Sequence, residues 1–252
     1  MYDEQTHLFG RELQEYCEKY NIPTEYLFEI LEDQKVIPMI RGKALEYNTY
    51  LKLKIILPQN IWDVQKLNLN AQTGTTDEDI SITHRRSGVI LKVECKSGVR
   101  GSISDGKRAL KLKEPHFKVK CHRSRSHIKK ASTSNDRYSV DDFDLIISTT
   151  SNAIYQGGTV GENLEVIHNQ GAKEALYTHY GVNSDENLIA ACVDDYRFCI
   201  PSDIAEEGFL PRTPYVKLLN DDNWKSLDLL NNRLQELIAE IHKQKNNSSR
   251  RN

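Results

Sequence analysis

No stretch of this chain approaches the roughly 18 consecutive apolar residues of a membrane-spanning helix. The N-terminus, MYDEQTHLFG, is polar and acidic and has no apolar region of the kind an export leader carries. A soluble, unexported protein with no membrane partner is therefore expected. The five cysteines, Cys17, Cys95, Cys121, Cys192 and Cys199, are odd in number and widely spaced, and no two form a C-x-x-C pair. That pattern argues against a zinc ribbon or a disulfide framework and suits the reducing cytoplasm. Also missing are a Gly-rich nucleotide loop, a G-x-S-x-G elbow, an H-E-x-x-H helix and any internal repeat, so the enzyme classes those motifs mark can be set aside.

What is present is ordinary in bulk and uneven in distribution. The 252 residues, 38% hydrophobic and 28% charged, can bury a sizeable core, and the formal net charge of -2 says nothing about partners. The first 34 residues, however, hold nine acidic groups against two basic ones, whereas Lys107 to Lys130 hold ten Lys or Arg against one acid, Glu114. Such polarity in a near-neutral chain points to one surface built for a polyanion.

Hydrophobic spacing predicts three opening helices, Gly10 to Tyr20, Pro23 to Asp33 with Thr24 as N-cap, and Arg41 to about Leu57, which together make an N-terminal helical layer over residues 1–57. Pro58 ends the third. Beyond Trp62 the class of pattern changes to strands: Asp63 to Gln72, Ile80 to Thr83, Val89 to Lys96, Phe117 to Cys121 and Phe143 to Thr149, the last two expected in one sheet with the others. Residues 122–142 read as a long polar loop, Gln170 to Tyr180 as a helix stopped by Gly181, and Tyr196 to Ile200 as a strand stopped by Pro201. A terminal helix over 224–243 is expected to be followed by a fraying tail, NNSSRRN. The fold class this implies is α/β, a mixed central sheet flanked by helices in a single domain over 1–252, with the core in 62–200.

One hairpin concentrates charge. In TDEDISITHRRSGVILKVECKSG, Thr76 to Gly98, a turn at Arg85 to Gly88 pairs His84 with Val89 and puts Asp79 opposite Glu94, with Lys96 on the same face as Glu94 because strand side chains alternate. Cross-strand neighbours lie about 5 Å apart. Two carboxylates that close repel unless a cation lies between them. A divalent metal resolves this, and Asp79, Glu94 and the backbone carbonyl of Cys95 are hard oxygen donors of the kind Mg²⁺ takes. Lys96 could then lower the pKa of a metal-bound water or steady charge on an attacked phosphate. Asp77 is a rival for the first ligand. The bland alternative is a solvated sheet face, but a strand that buries Leu91, Val93 and Cys95 and turns Lys92, Glu94 and Lys96 the other way is better explained by a working face. Cys95 reads as a small buried residue, since no His or Asn constellation accompanies it. His84, His116, His122 and His127 fit no tight zinc spacing.

This arrangement, D-(x)14-E-x-K across a hairpin, resembles the PD-(D/E)xK nuclease superfamily. The resemblance implies a restriction-endonuclease-like core in which Asp79 and Glu94 bind Mg²⁺ and Lys96 assists the hydrolytic water. It also implies a role for Glu46, which stands on the helix before the hairpin as a glutamate does in that family. The motif covers about a tenth of the chain, and the proline of the family's name is replaced by Glu78.

The basic segment supplies the second half of the expectation. Arg100 in SGVRGS, where Gly98 and Gly101 would let the chain pass close to DNA, and Lys107, Lys118, Lys120, His122, Lys129 and Lys130 suit a phosphate backbone. Arg123, Arg125 and Asn135 suit base edges. The segment 97–142 is thus expected to contact DNA. Together these readings point to a Mg²⁺-dependent type II restriction endonuclease acting on double-stranded DNA as a homodimer, with the terminal helix either a candidate interface or, equally, an apolar stripe packed on the core. A cognate methyltransferase would belong to the same system without being a stable partner. A structure-specific repair or junction nuclease and a non-catalytic reader of modified bases remain open alternatives.

Overall fold

Gly88 sits at φ 68°, a left-handed conformation that costs a glycine little and other residues much. It donates its N–H to the His84 carbonyl at 2.8 Å and closes the turn, while the His84 N–H bonds the Val89 carbonyl at 2.8 Å. The register follows from that closure. Thr83 faces Ile90, Ile82 faces Leu91 and Ile80 faces Val93, so the hairpin pairing counted from the turn is the one observed.

The structure is a computed structural model that describes residues 2–33, 35–67, 78–103, 114–122, 136–157, 164–166 and 169–249. Its elements in chain order are α1 (Tyr2–Lys19), α2 (Leu27–Glu32), α3 (Ile37–Ile56), β1 (Trp62–Lys66), β2 (Ile80–His84), β3 (Ile90–Cys95), β4 (His116–Lys118) and β5 (Leu145–Thr149). There follow β6 (Tyr155–Gly157), β7 (Leu164–Val166), α4 (Gln170–Tyr180), α5 (Asp185–Asp194), β8 (Tyr196–Cys199), α6 (Pro201–Ile204), β9 (Tyr215–Lys217), β10 (Lys225–Ser226) and α7 (Leu230–Ser249). Six strands form one mixed sheet in the order β1-β2-β3-β5-β8-β10, with β3 and β5 parallel and the other neighbours antiparallel. The chain is an α/β protein with helices on both faces of that sheet.

Strand β5 lies at its centre and shows why. Leu145, Ile146 and Ile147 are all fully buried, and alternation sends Leu145 and Ile147 to one face and Ile146 to the other. Each such side chain contributes roughly 1.5–3 kcal/mol relative to exposure. On the first face α3 lays Leu45 and Leu53, and α7 lays Leu230, Leu234 and Ile238, over Ile80, Ile82, Leu91 and Val93. On the second, Leu176 of α4, Leu188 of α5 and the β4/β9 pair pack against Ile146 and Cys199.

Several expectations change. The segment around Phe117 is not in the central sheet: β4 pairs with β9 in a separate two-stranded sheet. Thr24 is not an N-cap, because Pro23 precedes a 3-10 turn that begins at Thr24 and no side chain caps it. The terminal helix starts at Leu230, not Trp224, since Trp224 turns into the opposite core cluster and Lys225 and Ser226 pair with β8. It then runs on to Ser249, into the tail expected to fray. Helix α5 was not anticipated, although Ser184 accepts from the Asn187 N–H as an N-cap and Leu188 and Cys192 follow at helical spacing. The strand expected over 63–72 is β1, Trp62–Lys66, and its second half lies outside the described residues.

The stripe of α7 is spent on the core, which removes the reason to assign it to an interface. Exposed apolar side chains concentrate instead in the N-terminal helices, where Phe9, Phe28, Met39 and Ile55 are 65%, 70%, 73% and 80% exposed. Among the described residues, no helix is long and apolar enough to cross a membrane.

Candidate active site

The end of the hairpin gathers the charged residues. The β2–β3 ladder finishes at Ile80 and Val93, with Asp79 and Glu94 the next residues on the two strands. The Asp79 N–H bonds the Val93 carbonyl at 3.2 Å, and the Asp79 Oδ2 accepts the Cys95 N–H at 2.7 Å. Beyond this point β3 changes partner: the Lys96 N–H bonds the Ile147 carbonyl of β5 at 2.9 Å. Backbone groups of successive strand residues point to opposite sides. The Cys95 carbonyl therefore points, like its N–H, toward the side where Asp79 has replaced the ladder.

Glu94 is buried, 7% exposed. Its Oε1 forms an ion pair with the Lys96 ammonium, and the Tyr138 hydroxyl binds both, at 2.9 Å from Lys96 Nζ and 3.4 Å from Glu94 Oε1. The Tyr138 ring is in turn fixed edge-on against Phe143, 5.0 Å between centroids. Burial alone would lower the pKa of the Lys96 ammonium, but the Glu94 carboxylate and Tyr138 outweigh it and hold the lysine above its usual value. Lys96 is a held cation.

Glu46 projects from α3 to the same end. Its Oε2 meets Lys43 Nζ at 2.7 Å and Lys66 Nζ at 2.8 Å. Burial would raise its pKa, yet the two lysines bring it below the ordinary glutamate value. Among the described residues, Asp79 has no such cation at contact. Burial first, then the charges of Glu94 and Glu46, push its carboxyl up to about 8 against the pull of the Cys95 N–H and Lys96. Burial also raises the Cys95 thiol well above the usual range, with Asp79 adding to it, so this sulfur is not a thiolate nucleophile.

The chemistry of the donor set fits one hard cation. Among the described residues, no group of three or more His, Cys, Asp or Glu side chains forms a ready metal cage. Two carboxylates and a carbonyl with open positions left for water are nonetheless what Mg²⁺ takes.

The basic segment reaches this end through backbone pairing. Gly98 bridges Val119, the Val99 N–H bonds the Lys118 carbonyl at 2.7 Å, and the Lys120 N–H bonds the Ser97 carbonyl at 3.1 Å. Lys118 and Lys120 are thus strand neighbours of the chain leaving Lys96. Lys118 Nζ lies 5.3 Å from the Tyr215 ring, and His122 bridges Arg137 in a short antiparallel contact. The close approach at Gly98 is to protein, since a Cβ there would sit 3.1 Å from the Thr149 carbonyl and 3.2 Å from Ala153 Cβ. Gly101 has φ 62°. Glu78 is tied to Lys92 at 2.7 Å. Asp77, Lys107, Arg123, Arg125, His127, Lys129, Lys130 and Asn135 lie outside the described residues.

Three participants had not been singled out. Tyr138 and Lys66 carry no local signal, because each reaches the site across the fold. Arg41 of α3 stacks its guanidinium 4.7 Å from the Tyr155 ring, and burial together with nearby Arg100 lowers its pKa. An open cleft of about 760 Å³ lies at the far end of the hairpin, between His84 to Ser87 and α7, away from Asp79.

No family model matches this chain, and no characterised relative matches it by sequence. Among solved structures, the bacterial homing endonuclease I-Ssp6803I aligns over 84% of this chain and 98% of its own, at 11% identity and a TM-score of 0.36. A likeness that slight carries no argument about chemistry, which rests on the residues themselves.

Proposed function

We propose that this protein is a Mg²⁺-dependent endonuclease of the restriction type, hydrolysing phosphodiester bonds in double-stranded DNA. One observation carries the reading. Asp79, Glu94 and Lys96 meet at the end of one hairpin, with a backbone carbonyl on the Asp79 side and a basic strand hydrogen-bonded alongside.

Asp79, Glu94 and the Cys95 carbonyl would hold the cation. Mg²⁺ bound there supplies Lewis acidity toward a phosphate oxygen and toward water. In hydrolysis a water oxygen gives up a proton to solvent and forms a bond to phosphorus, the bond from phosphorus to the leaving ester oxygen breaks with that oxygen taking a proton from solvent, and negative charge grows on the non-bridging oxygens. Lys96 is placed for that charge. Glu94 and Tyr138 keep its ammonium fixed before substrate arrives, and a donor that need not reorganise stabilises a transition state more than one that must. Lys118, Lys120, Arg100 and Arg41 provide a phosphate-facing surface whose affinity should fall with salt.

Each chain carries one such centre, so cutting two antiparallel strands calls for two copies. The exposed apolar side chains of α1, α2 and α3 are the surface we assign to that homodimer. A companion methyltransferase would protect the host's own sites.

The test is cleavage. Purified protein incubated with phage or plasmid DNA and Mg²⁺ should give discrete fragments, and chelation should abolish them. Intact DNA across a broad panel of unmethylated and branched substrates would sink the proposal.

A further inference from the structure

Resting on the nuclease reading above, we infer that this site takes one divalent cation and not two, because the ammonium of Lys66 occupies the position a second cation would need. Lys66 brings Glu46 to the end of the hairpin by contacting both its carboxylate and the Asp79 backbone carbonyl, and the Asp79 carboxylate in turn accepts the N–H of Cys95, the residue after Glu94. A cluster of that charge could be neutralised by a pair of metals. The chain supplies part of the compensation itself.

Lys66 ends β1, and its side chain is only 7% exposed. Its Nζ contacts Glu46 Oε2 at 2.8 Å, the Leu67 carbonyl at 3.1 Å and the Asp79 carbonyl at 3.1 Å. An ammonium has three N–H donors, and here each has an oxygen acceptor. The Tyr47 ring lies over the remaining side, 5.4 Å from Nζ. One carboxylate and two backbone carbonyls is an all-oxygen shell of the type a hard cation selects, filled by a protein cation.

Displacing that ammonium would leave a nearly buried charge without its partners, which is costly. The contact is also selective. Lys66 binds the Asp79 backbone carbonyl and not its carboxylate, so Asp79 remains available to the ion it shares with Glu94. Lys43 holds the same Glu46 oxygen at 2.7 Å but is 68% exposed, and so can leave at little cost. Glu46 is therefore a positioning residue that holds Lys66, not a metal ligand.

Counting ions tests this without any cleavage assay. Mn²⁺ binding to the full chain, followed by the loss of the free-ion electron paramagnetic resonance signal, should give one ion per chain for wild type and for Glu46→Gln. Asp79→Asn should lose it. Lys66→Met should gain a second ion that Lys66→Met combined with Glu46→Gln loses again. Two ions in wild type, or loss of the single ion in Glu46→Gln, would overturn the inference while leaving the metal-site reading standing. A folded Lys66→Met protein that still binds one ion would overturn it too. No bound ion in wild type would overturn both. If Lys66→Met does not fold, the wild-type and Glu46→Gln counts decide.

Discussion

Replacing Asp79 by Asn should make the metal-free protein more stable, by an amount the site geometry allows to be worked out. Burial, Glu94 and Glu46 raise the Asp79 pKa from 3.8 to about 8. At about 1.36 kcal/mol per unit, an ionised Asp79 at pH 8 costs the fold up to roughly 6 kcal/mol. Solvent reaches this partly buried group and screens the charge, so we take about half or less, roughly 2–3 kcal/mol. Asn removes the charge and keeps an oxygen for the Cys95 N–H. In a chain of this length that is a rise in Tm of roughly 5–10 °C, at about 2–4 °C per kcal/mol.

The pH dependence has a definite sign. A carboxyl whose folded pKa lies above its unfolded value contributes its stability fully below the unfolded pKa, near 4, and loses it as pH rises toward 8. Scanning calorimetry in chelator should therefore find the two proteins alike near pH 4 and the variant ahead by pH 8. Saturating Mg²⁺ at pH 8 should stabilise wild type by mass action and leave the variant nearly unmoved, closing the gap. A variant less stable than wild type in chelator at pH 8, or a gap that does not change with pH, would refute the electrostatic account of Asp79.

Other measurements probe the surroundings of the site. Tyr138→Phe deletes the hydroxyl shared by Lys96 and Glu94, which should lower kcat by about 5–30-fold for the roughly 1–2 kcal/mol of one charge-assisted hydrogen bond, with KM unchanged. An equal rise in KM would mean that Tyr138 serves binding instead. Gly98→Ala pushes a methyl against the Thr149 carbonyl and Ala153, where the space is already closed, and should cost about 1–3 kcal/mol in denaturant unfolding. Sedimentation should find a dimer that Phe9→Glu with Phe28→Glu converts to a folded monomer, whereas a charge on the exposed face of α7 should change nothing.

How much of this could be read from the sequence divides along a physical line. The hairpin was legible because its determinants are local: a turn closed by Gly88, β-branched strands, and a side-chain period of two that carries the register from the turn out to Ile80 and Val93. The same counting put Lys96 on the face of Glu94. Helix α4 was legible to the residue because Asn169 caps one end and Gly181, in the left-handed conformation, the other. What escaped depends on contacts distant along the chain. Lys66 meets Glu46 across 20 residues, and Tyr138 meets Lys96 across 42. Neither residue differs in sequence from an ordinary surface lysine or a tyrosine in a polar loop. The strand containing Phe117 alternates like a sheet member, but periodicity does not say which sheet, and its partner β9 lies about a hundred residues away. The α7 stripe has the same ambiguity. An apolar helix face can serve a core or an interface, and only the packed structure shows Leu230, Leu234 and Ile238 on the sheet.

The central claim is that Asp79, Glu94 and Lys96 form the catalytic centre. The most direct measurement compares wild type with Lys96→Ala in a single-turnover cleavage assay, alongside a DNA-binding titration at the same salt. Loss of a positioned charge donor should slow cleavage by at least about 10²-fold while DNA affinity changes little, because phosphate contacts elsewhere carry the binding. A Lys96→Ala protein that binds and cuts DNA as wild type does would contradict the account.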